Sequence, residues 1–385
     1  MKNNISKFKE CANCGACYNV CPTNAISVLG DDLFYTLNVD NDKCIDCGKC
    51  MRVCPVNAPQ QQGEIISAIG GYSKDSSIVK SSSSGGAFSV FANYVLSKNG
   101  VVFGAAFSED NRCIEIKSTD EITLEQLLRS KYVESLVGES FSKVKEYLEN
   151  NRFVLFCGCP CQVAGLIRFL GKDYPNLITC DFSCGGLPSH KMYEEYISSL
   201  EKKYKSKTKS VNFRPKTFGW ETYAIKVCFD NRKEYNRLAN LDPFFYGFIH
   251  KHYTVRDNCL TCRFADNHYS DIILADFWLY KKLSNLEKEN GLSLVLSNSE
   301  KGENLLNKLK NKFEFEQIDT KKSCYNIRKP NYSKDFYKNR ENFLKQYEKI
   351  GLSAIKPYLP NGINKNKIII KNLIKKLLNY IKGNK

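Results

Sequence analysis

One spacing of four cysteines occurs twice near the start of the chain, and it limits the fold more than any other feature. The first copy reads CANCGACYNVCP, from Cys11 to Pro22, and the second reads CIDCGKCMRVCP, from Cys44 to Pro55. Both are C-x2-C-x2-C-x3-C-P. Gly15 and Gly48 follow the second cysteine of each run, where a residue without Cβ lets the backbone come close to whatever the thiols hold. Between the runs, AISVLGDDLFYTLNVD reads as two short strands around a Gly-Asp-Asp turn. The whole sequence contains 18 cysteines, clustered rather than scattered. No apolar segment precedes Cys11 to suggest secretion, and no stretch reaches the roughly 18 apolar residues of a membrane span. A cytoplasmic location is expected, where clustered cysteines signal metal or redox chemistry more often than disulfides.

The doubled run is the spacing of bacterial two-cluster ferredoxins, in which the fourth cysteine of each run serves the other cluster. By that rule Cys11, Cys14, Cys17 and Cys54 hold one [4Fe-4S] cluster, and Cys44, Cys47, Cys50 and Cys21 hold the second. A pair of structural zinc sites is the alternative, but zinc usually takes two ligand pairs separated by a longer spacer. The formal charge of +16 overstates the basic character. Each thiolate-bound cluster carries about −2, so two or three would cancel roughly 4 to 6 charges. Seven lysines after Asn364 make much of the remainder local. No nucleic-acid-binding motif accompanies the charge, and no nucleic-acid partner is expected.

Beyond a linker at Ala58–Ile65, Ser81–Gly86 forms a polar loop that opens a helical pattern over Phe88–Leu96. Such a loop offers backbone N–H groups and a helix dipole to an anion, although Ser-Gly runs are also common as plain linkers. Strand patterns at Val101–Phe107, Cys113–Lys117 and Arg152–Phe156 alternate with helical ones, then LITCDFSC and a helix from Lys191 follow. This predicts an α/β layer with a mostly parallel or mixed sheet. A helix over Gln162–Leu170 puts Cys161 in its first turn, where the dipole favours a thiolate. Cys161, Cys184, Cys259 and Cys262 complete a set of four sulfur ligands if the fold gathers them; otherwise they are unrelated thiols. His190, His250, His252 and His268 match no metal-binding pair spacing, though His250 and His252 alternate as on one face of a strand.

The segments SSSSGGAF (81–88), SKYVES (130–135), GCPCQVAGL (158–166), CGGLPS (184–189), NFRPKTFGW (212–220), CLTCRF (259–264), SDIILADFW (270–278) and GLSLVL (291–296) together resemble the coenzyme F420 hydrogenase/dehydrogenase beta-subunit family. The resemblance runs from about Ile65 to Lys312. It implies an iron–sulfur flavoprotein that passes electrons between clusters, FAD and an organic partner such as the deazaflavin coenzyme. It also implies that Ser84, Gly85 and Gly86 contact FAD through their backbone, with Lys131 and Tyr132 nearby, and that Cys161, Cys184, Cys259 and Cys262 hold a third [4Fe-4S] cluster. Arg214 and Trp220 would line the flavin or substrate pocket, or else serve as a salt-bridged arginine and a core tryptophan. Asp276 reads as a structural acid rather than a proton donor. The chain departs from the family where Cys159 replaces threonine, Gly185 replaces histidine, Pro215 replaces an acid and Leu279 replaces a common glycine. Cys157, Cys159 and Cys180 are extra thiols: alternative ligands, redox partners or inert core residues.

From Lys365 the tail has no acid, and Ile370, Leu373, Ile374, Leu377, Leu378 and Ile381 recur at helical spacing. Such a helix suits the surface of an anionic membrane, or docking on the protein or a partner. The expected architecture is therefore α+β and α/β. A ferredoxin-like domain (1–62) precedes a mixed α/β flavin-binding iron–sulfur region in two parts (65–150 and 151–320), and a helical basic tail (321–385) follows. The expected activity is oxidation or reduction of an organic substrate, with a soluble carrier such as ferredoxin or a partner oxidoreductase exchanging electrons. Relatives with a fused ferredoxin unit imply a role in surface polysaccharide synthesis. An electron-transfer adaptor without a substrate, and a thiol enzyme built on Cys157, Cys159 and Cys161, are the alternatives.

Overall fold

A computed structural model describes residues 4–5, 10–57, 63–286, 291–323 and 331–361, with 370, 371 and 374. Most of the expected linker and of the basic amphipathic tail lies outside the described residues. Strands β1 (Ile26–Leu29) and β2 (Thr36–Val39) pair antiparallel, with Ile26 opposite Val39, and join the two cysteine runs. The remaining strands are β3 (Ser67–Ser73), β4 (Val101–Phe107), β5 (Ile114–Ser118), β6 (Ser135–Leu136), β7 (Val154–Cys157), β8 (Leu177–Phe182), β9 (Thr208–Asn212), β10 (Ala224–Phe229), β11 (Glu234–Leu238), β12 (Ile272–Asp276), β13 (Ser293–Ser297) and β14 (Phe313–Gln317).

Nine of these build one twisted sheet in the order β14-β3-β13-β12-β8-β7-β4-β5-β6. Pairing is parallel along β12-β8-β7-β4 and antiparallel at β14-β3-β13-β12 and β4-β5. The sheet is mixed, as the alternating pattern predicts, and segments 65–150 and 151–320 both contribute strands to it. Its middle strands read as apolar runs, VLFC in β7 and SLVLS in β13, because helices cover both faces. β9, β10 and β11 form a separate antiparallel meander. Together with helices His190–Tyr204, Pro243–Ile249 and Lys334–Ile350 it encloses an aromatic core around Tyr193, Tyr196, Phe213, Phe244 and Phe245.

The helix Pro160–Leu170 shows how local sequence fixes the element that matters most. Pro160 occupies the first helical position, where a missing N–H is harmless, and Gly171 ends the helix in the left-handed region at φ 68°. Between them one face is apolar and buried from Val163 to Leu166. The ferredoxin-like unit packs on this helix, and its cysteines share one buried cluster with Phe103, Phe141 and Phe156 of the larger body. His250 and His252 do not alternate along a strand: His250 ends the helix Pro243–Ile249, and His252 follows in a left-handed turn at φ 55°.

Candidate functional site

The two cysteine runs adopt the same local geometry. Gly15 (φ 86°) and Gly48 (φ 66°) each turn the chain through the left-handed region into a single helical turn, Ala16–Asn19 and Lys49–Arg52. That turn carries the third cysteine of the run inward. Cys11, Cys14, Cys17 and Cys54 line one small cavity, closed by Ile5, Leu37 and Val56. Cys21, Cys44, Cys47 and Cys50 line another. Each run thus gives three thiols to one cavity and its fourth to the other.

The chemistry of this donor set suits iron–sulfur cubanes. Burial pushes the Cys14 thiol up to about 12, and repulsion from Cys11 and Cys54 adds to it. Burial also pushes Cys17 well up, helped by Cys14, Cys11, Cys54 and Cys50. Thiols crowded in this way ionise together only around a positive centre, which iron supplies. Among the described residues no three His, Cys, Asp or Glu side chains converge on a point able to hold a single metal ion. The cysteines instead ring a space, as thiolates do when each binds a different corner of a cubane.

Cys161, Cys184, Cys259 and Cys262, far apart in sequence, come together beside the ferredoxin-like unit, with Cys159 among them. The Cys161 thiol is pushed up by burial and by Cys262, Cys184, Cys14 and Cys259. Cys259 is pushed up by burial and by Cys184 and Cys262, while the Leu187 N–H donates to its sulfur at 3.4 Å. Cys159 and Cys184 are close enough to shift one another, Cys159 upward and Cys184 downward. Gly165 sets the spacing between this group and the ferredoxin-like unit: a Cβ there would stand 3.0 Å from both Cβ and Sγ of Cys14. Three cysteine groups therefore follow one another inward. Cys47 of the outermost is exposed, Cys50 lies near Cys17 of the next, and Cys14 lies near Cys161 of the innermost.

A cavity of about 420 Å³ opens beyond the innermost group, and Cys159 and Cys184 form part of its wall. Ser82, Ser83, Ser84, Gly86, Lys131, Tyr132 and Arg214 line it as well. Gly86, in the left-handed region at φ 89°, starts helix Ala87–Ser97 with no side chain capping its N–H groups. Ala87, Phe88 and Ser89 of that first turn also face the cavity. Uncapped N–H groups at the positive end of a helix fit a phosphate or other anion. The serines shape this loop: Ser83 Oγ accepts from the Ser130 N–H at 2.9 Å, and Ser84 Oγ donates to the Leu292 carbonyl at 2.7 Å. Lys216 Nζ adds bonds to the Val79 and Ser84 carbonyls. Burial holds the Lys131 amine down to about 7, with Arg129 adding repulsion, and the amine donates to the Leu128 carbonyl at 2.8 Å.

Gly85 and Trp220 lie off the cavity wall. At Gly85 a Cβ would meet the Gly71 carbonyl at 2.5 Å, so this glycine lets the loop pass over β3. Trp220 is buried, stacks on Trp278 at 4.7 Å and donates from Nε1 to Asp276 at 3.2 Å. Asp276 also accepts from Arg214 and, at 3.4 Å, from the Tyr223 hydroxyl. Arg214 is thus both ion-paired and part of the wall, its guanidinium 4.2 Å from the centre of the Tyr223 ring.

Two features carry no signal in the cysteine motifs. His252 lines the cavity, and its Nδ1 hydrogen-bonds the Tyr332 hydroxyl at 2.7 Å. Its left-handed backbone turn, not a motif, points it there. Glu134, fully buried, accepts from Asn13 Nδ2 and the Tyr35 N–H at 3.0 Å and from Arg256 Nε at 2.9 Å. This acid in the SKYVES segment ties the ferredoxin-like unit to the larger body.

Comparison with known proteins gives two family matches. Residues 10–58 match the 4Fe-4S dicluster domain, and residues 151–321 match the C terminus of the coenzyme F420 hydrogenase/dehydrogenase beta subunit. No curated protein matches the chain. Among solved structures, a chain of the F420-reducing [NiFe] hydrogenase complex from Methanosarcina barkeri is similar at 15% identity and a TM-score of 0.44. The match covers 77% of this chain and 92% of that one.

Proposed function

From the match of residues 151–321 to the C terminus of the coenzyme F420 hydrogenase/dehydrogenase beta subunit, and of residues 10–58 to the 4Fe-4S dicluster domain, we propose that the chain is an iron–sulfur flavoprotein oxidoreductase acting on an organic substrate. The observation that carries this reading is the unbroken succession of cysteine groups from exposed Cys47 to the wall of the 420 Å³ cavity. Bound clusters move electrons singly, while a bound flavin exchanges them in pairs with organic molecules.

The chain's own residues do the positioning. Cys11, Cys14, Cys17 and Cys54 hold the middle cluster, and Cys21, Cys44, Cys47 and Cys50 hold the outer one. Cys161, Cys184, Cys259 and Cys262 hold the third. The backbone at Ser84 and from Gly86 to Ser89, with the Lys131 amine, would receive the anionic part of FAD. Tyr132, Phe248 and Leu274 give the cavity an apolar wall that excludes water. Asp276 holds Arg214 in one orientation at that wall. His252, its ring oriented through Nδ1 by the Tyr332 hydroxyl, is placed to give or accept a proton at Nε2. The exposed edge at Ile45 and Cys47 gives a soluble carrier such as ferredoxin, or a partner oxidoreductase, access to the outer cluster. The deazaflavin coenzyme and a precursor of surface polysaccharide are two substrate classes compatible with this arrangement.

A cavity of this size adjoining the innermost thiols favours an enzyme over an adaptor without a substrate. Anaerobic purification with iron, sulfide and flavin counting tests the reading. About 12 irons per chain and one FAD are expected, four irons to each cubane. Protein that is colourless, or that carries iron but no flavin after reconstitution, would overturn it.

A further inference from the structure

Two thiols at the cavity stand outside all three cysteine groups. Cys157 ends β7, and Cys180 is its partner in the parallel ladder with β8. Beside them, the Gly158 N–H donates to the Cys180 carbonyl at 3.1 Å. Paired residues on neighbouring strands project side chains to the same face, and both thiols pack on the side covered by helix Ala87–Ser97. The Cys180 thiol is pushed well up by Cys157 beside it and by burial, and it donates to the Asp181 carbonyl at 3.7 Å. Their access differs: Cys157 is half-buried and lines the cavity, whereas Cys180 is 1% exposed behind it. Adjacent strands run about 4.8 Å apart, inside the Cα separation of roughly 4.4–6.8 Å that a disulfide spans. Lys131 lines the same cavity and lies close enough to Cys157 to interact with it.

We propose that Cys157 and Cys180 form a reversible dithiol–disulfide couple that reduces a small-molecule disulfide entering the cavity. The Cys157 thiolate attacks one sulfur of that molecule, its S–S bond breaks, and the first thiol leaves with the proton that Cys157 gave up. Cys180 then attacks the Cys157 sulfur and displaces the second thiol, which takes the Cys180 proton. One S–S bond has broken and one has formed, and two electrons have passed from protein to substrate. Reversal by a small dithiol restores the starting state. An accessible attacking thiol backed by a buried resolving thiol is the division of labour this exchange requires. The exchange passes no electrons through a flavin or a cluster, but its substrate enters the cavity assigned above to FAD, so flavin counted on the same samples separates the failure of the couple from the failure of the oxidoreductase reading.

The test uses the full chain, purified without oxygen with its iron and treated anaerobically with 2-hydroxyethyl disulfide. Acid quenching, alkylation and peptide mass mapping follow, with iron and flavin counted on the same samples. The expected product is a peptide cross-linked through Cys157 and Cys180 that 1,4-dithiothreitol cleaves. In Cys180→Ser, Cys157 retains the hydroxyethylthio group. In Cys157→Ser, Cys180 is recovered as free thiol. Undiminished iron in both variants shows that they fold. Alkylation of both thiols in treated wild type, or a stable adduct on Cys157 without the cross-link, overturns the proposal, and neither outcome bears on the flavin count.

Discussion

Replacing Glu134 with glutamine withdraws a negative charge from a buried point on which donors from both parts of the molecule converge. Asn13 Nδ2 and the Tyr35 N–H reach it at 3.0 Å, Arg256 Nε at 2.9 Å and Arg256 Nη2 at 2.8 Å. Glutamine keeps one acceptor oxygen and turns an NH₂ group toward these donors. It also leaves the Arg256 guanidinium, 9% exposed, without its counter-charge. Removing one member of a buried pair costs about 3–5 kcal/mol, roughly two to four powers of ten in the local folding equilibrium. Asn13 and Tyr35 belong to the ferredoxin-like unit, so the loss should fall on the seam. Hydrogen exchange of the β1–β2 hairpin and the urea midpoint are the measurements. In Glu134→Gln the hairpin amides should exchange faster by at least about a hundredfold, which corresponds to the lower end of that cost. The Glu134→Leu/Arg256→Met double variant removes both charges and should recover most of the loss, to within about 1–2 kcal/mol. A single variant within about 1 kcal/mol of wild type, or a double variant at the sum of the singles, would show that the buried charge is not what binds the seam.

Three further outcomes are expected. Lys131, held down to about 7 by burial and Arg129, is cationic below that pH and neutral above it. FAD affinity, followed by flavin fluorescence, should weaken roughly tenfold between about pH 6 and pH 8.5, and Lys131→Met should flatten the profile. Because the unfolded lysine retains its proton up to about 10.4, this same shift makes the apoprotein gain stability as pH rises through that window. Gly165→Ala places a methyl 3.0 Å from Cys14 Sγ, where overpacking of about 1–3 kcal/mol opposes a helix gain of about 1 kcal/mol. Melting and iron content should both fall, and a more stable variant with full iron would mean slack at that contact. Cys161→Ser should lose about four irons, whereas Cys159→Ser should keep them, as iron analysis will show.

Much of this architecture is legible in the sequence where a short stretch decides the outcome. The doubled cysteine run, the Gly-Asp-Asp turn and the helix read at 162–170, which begins two residues earlier at Pro160, are local, and each forms as its residues dictate. Strand order is not local. That β3 inserts between β13 and β14 depends on packing such as Phe277 over Gly70, which no window of sequence reveals. Glu134 reads as an ordinary surface acid until Asn13 and Arg256 close over it. Gly85 and Trp220 sit in motifs with cavity residues, yet one serves the loop's passage over β3 and the other a ring stack. Motif membership marks a neighbourhood, while facing the cavity is settled by side-chain direction.

The place of β3 also decides how this protein can be made and divided. β3 comes from the first fifth of the chain, yet it bonds β13 on one side and β14 on the other, and those two never touch as strands. A ribosome must therefore release nearly the whole body before the sheet can close, with β3 waiting unpaired meanwhile. A fragment cut to 151–321 would lack both β3 and β4, leaving β7 and β13 as raw apolar edges and β14 with nothing to bond. Such a fragment should clump rather than fold, since bare strand edges recruit other chains. The portion that carries the family likeness is thus not a portion that can live alone.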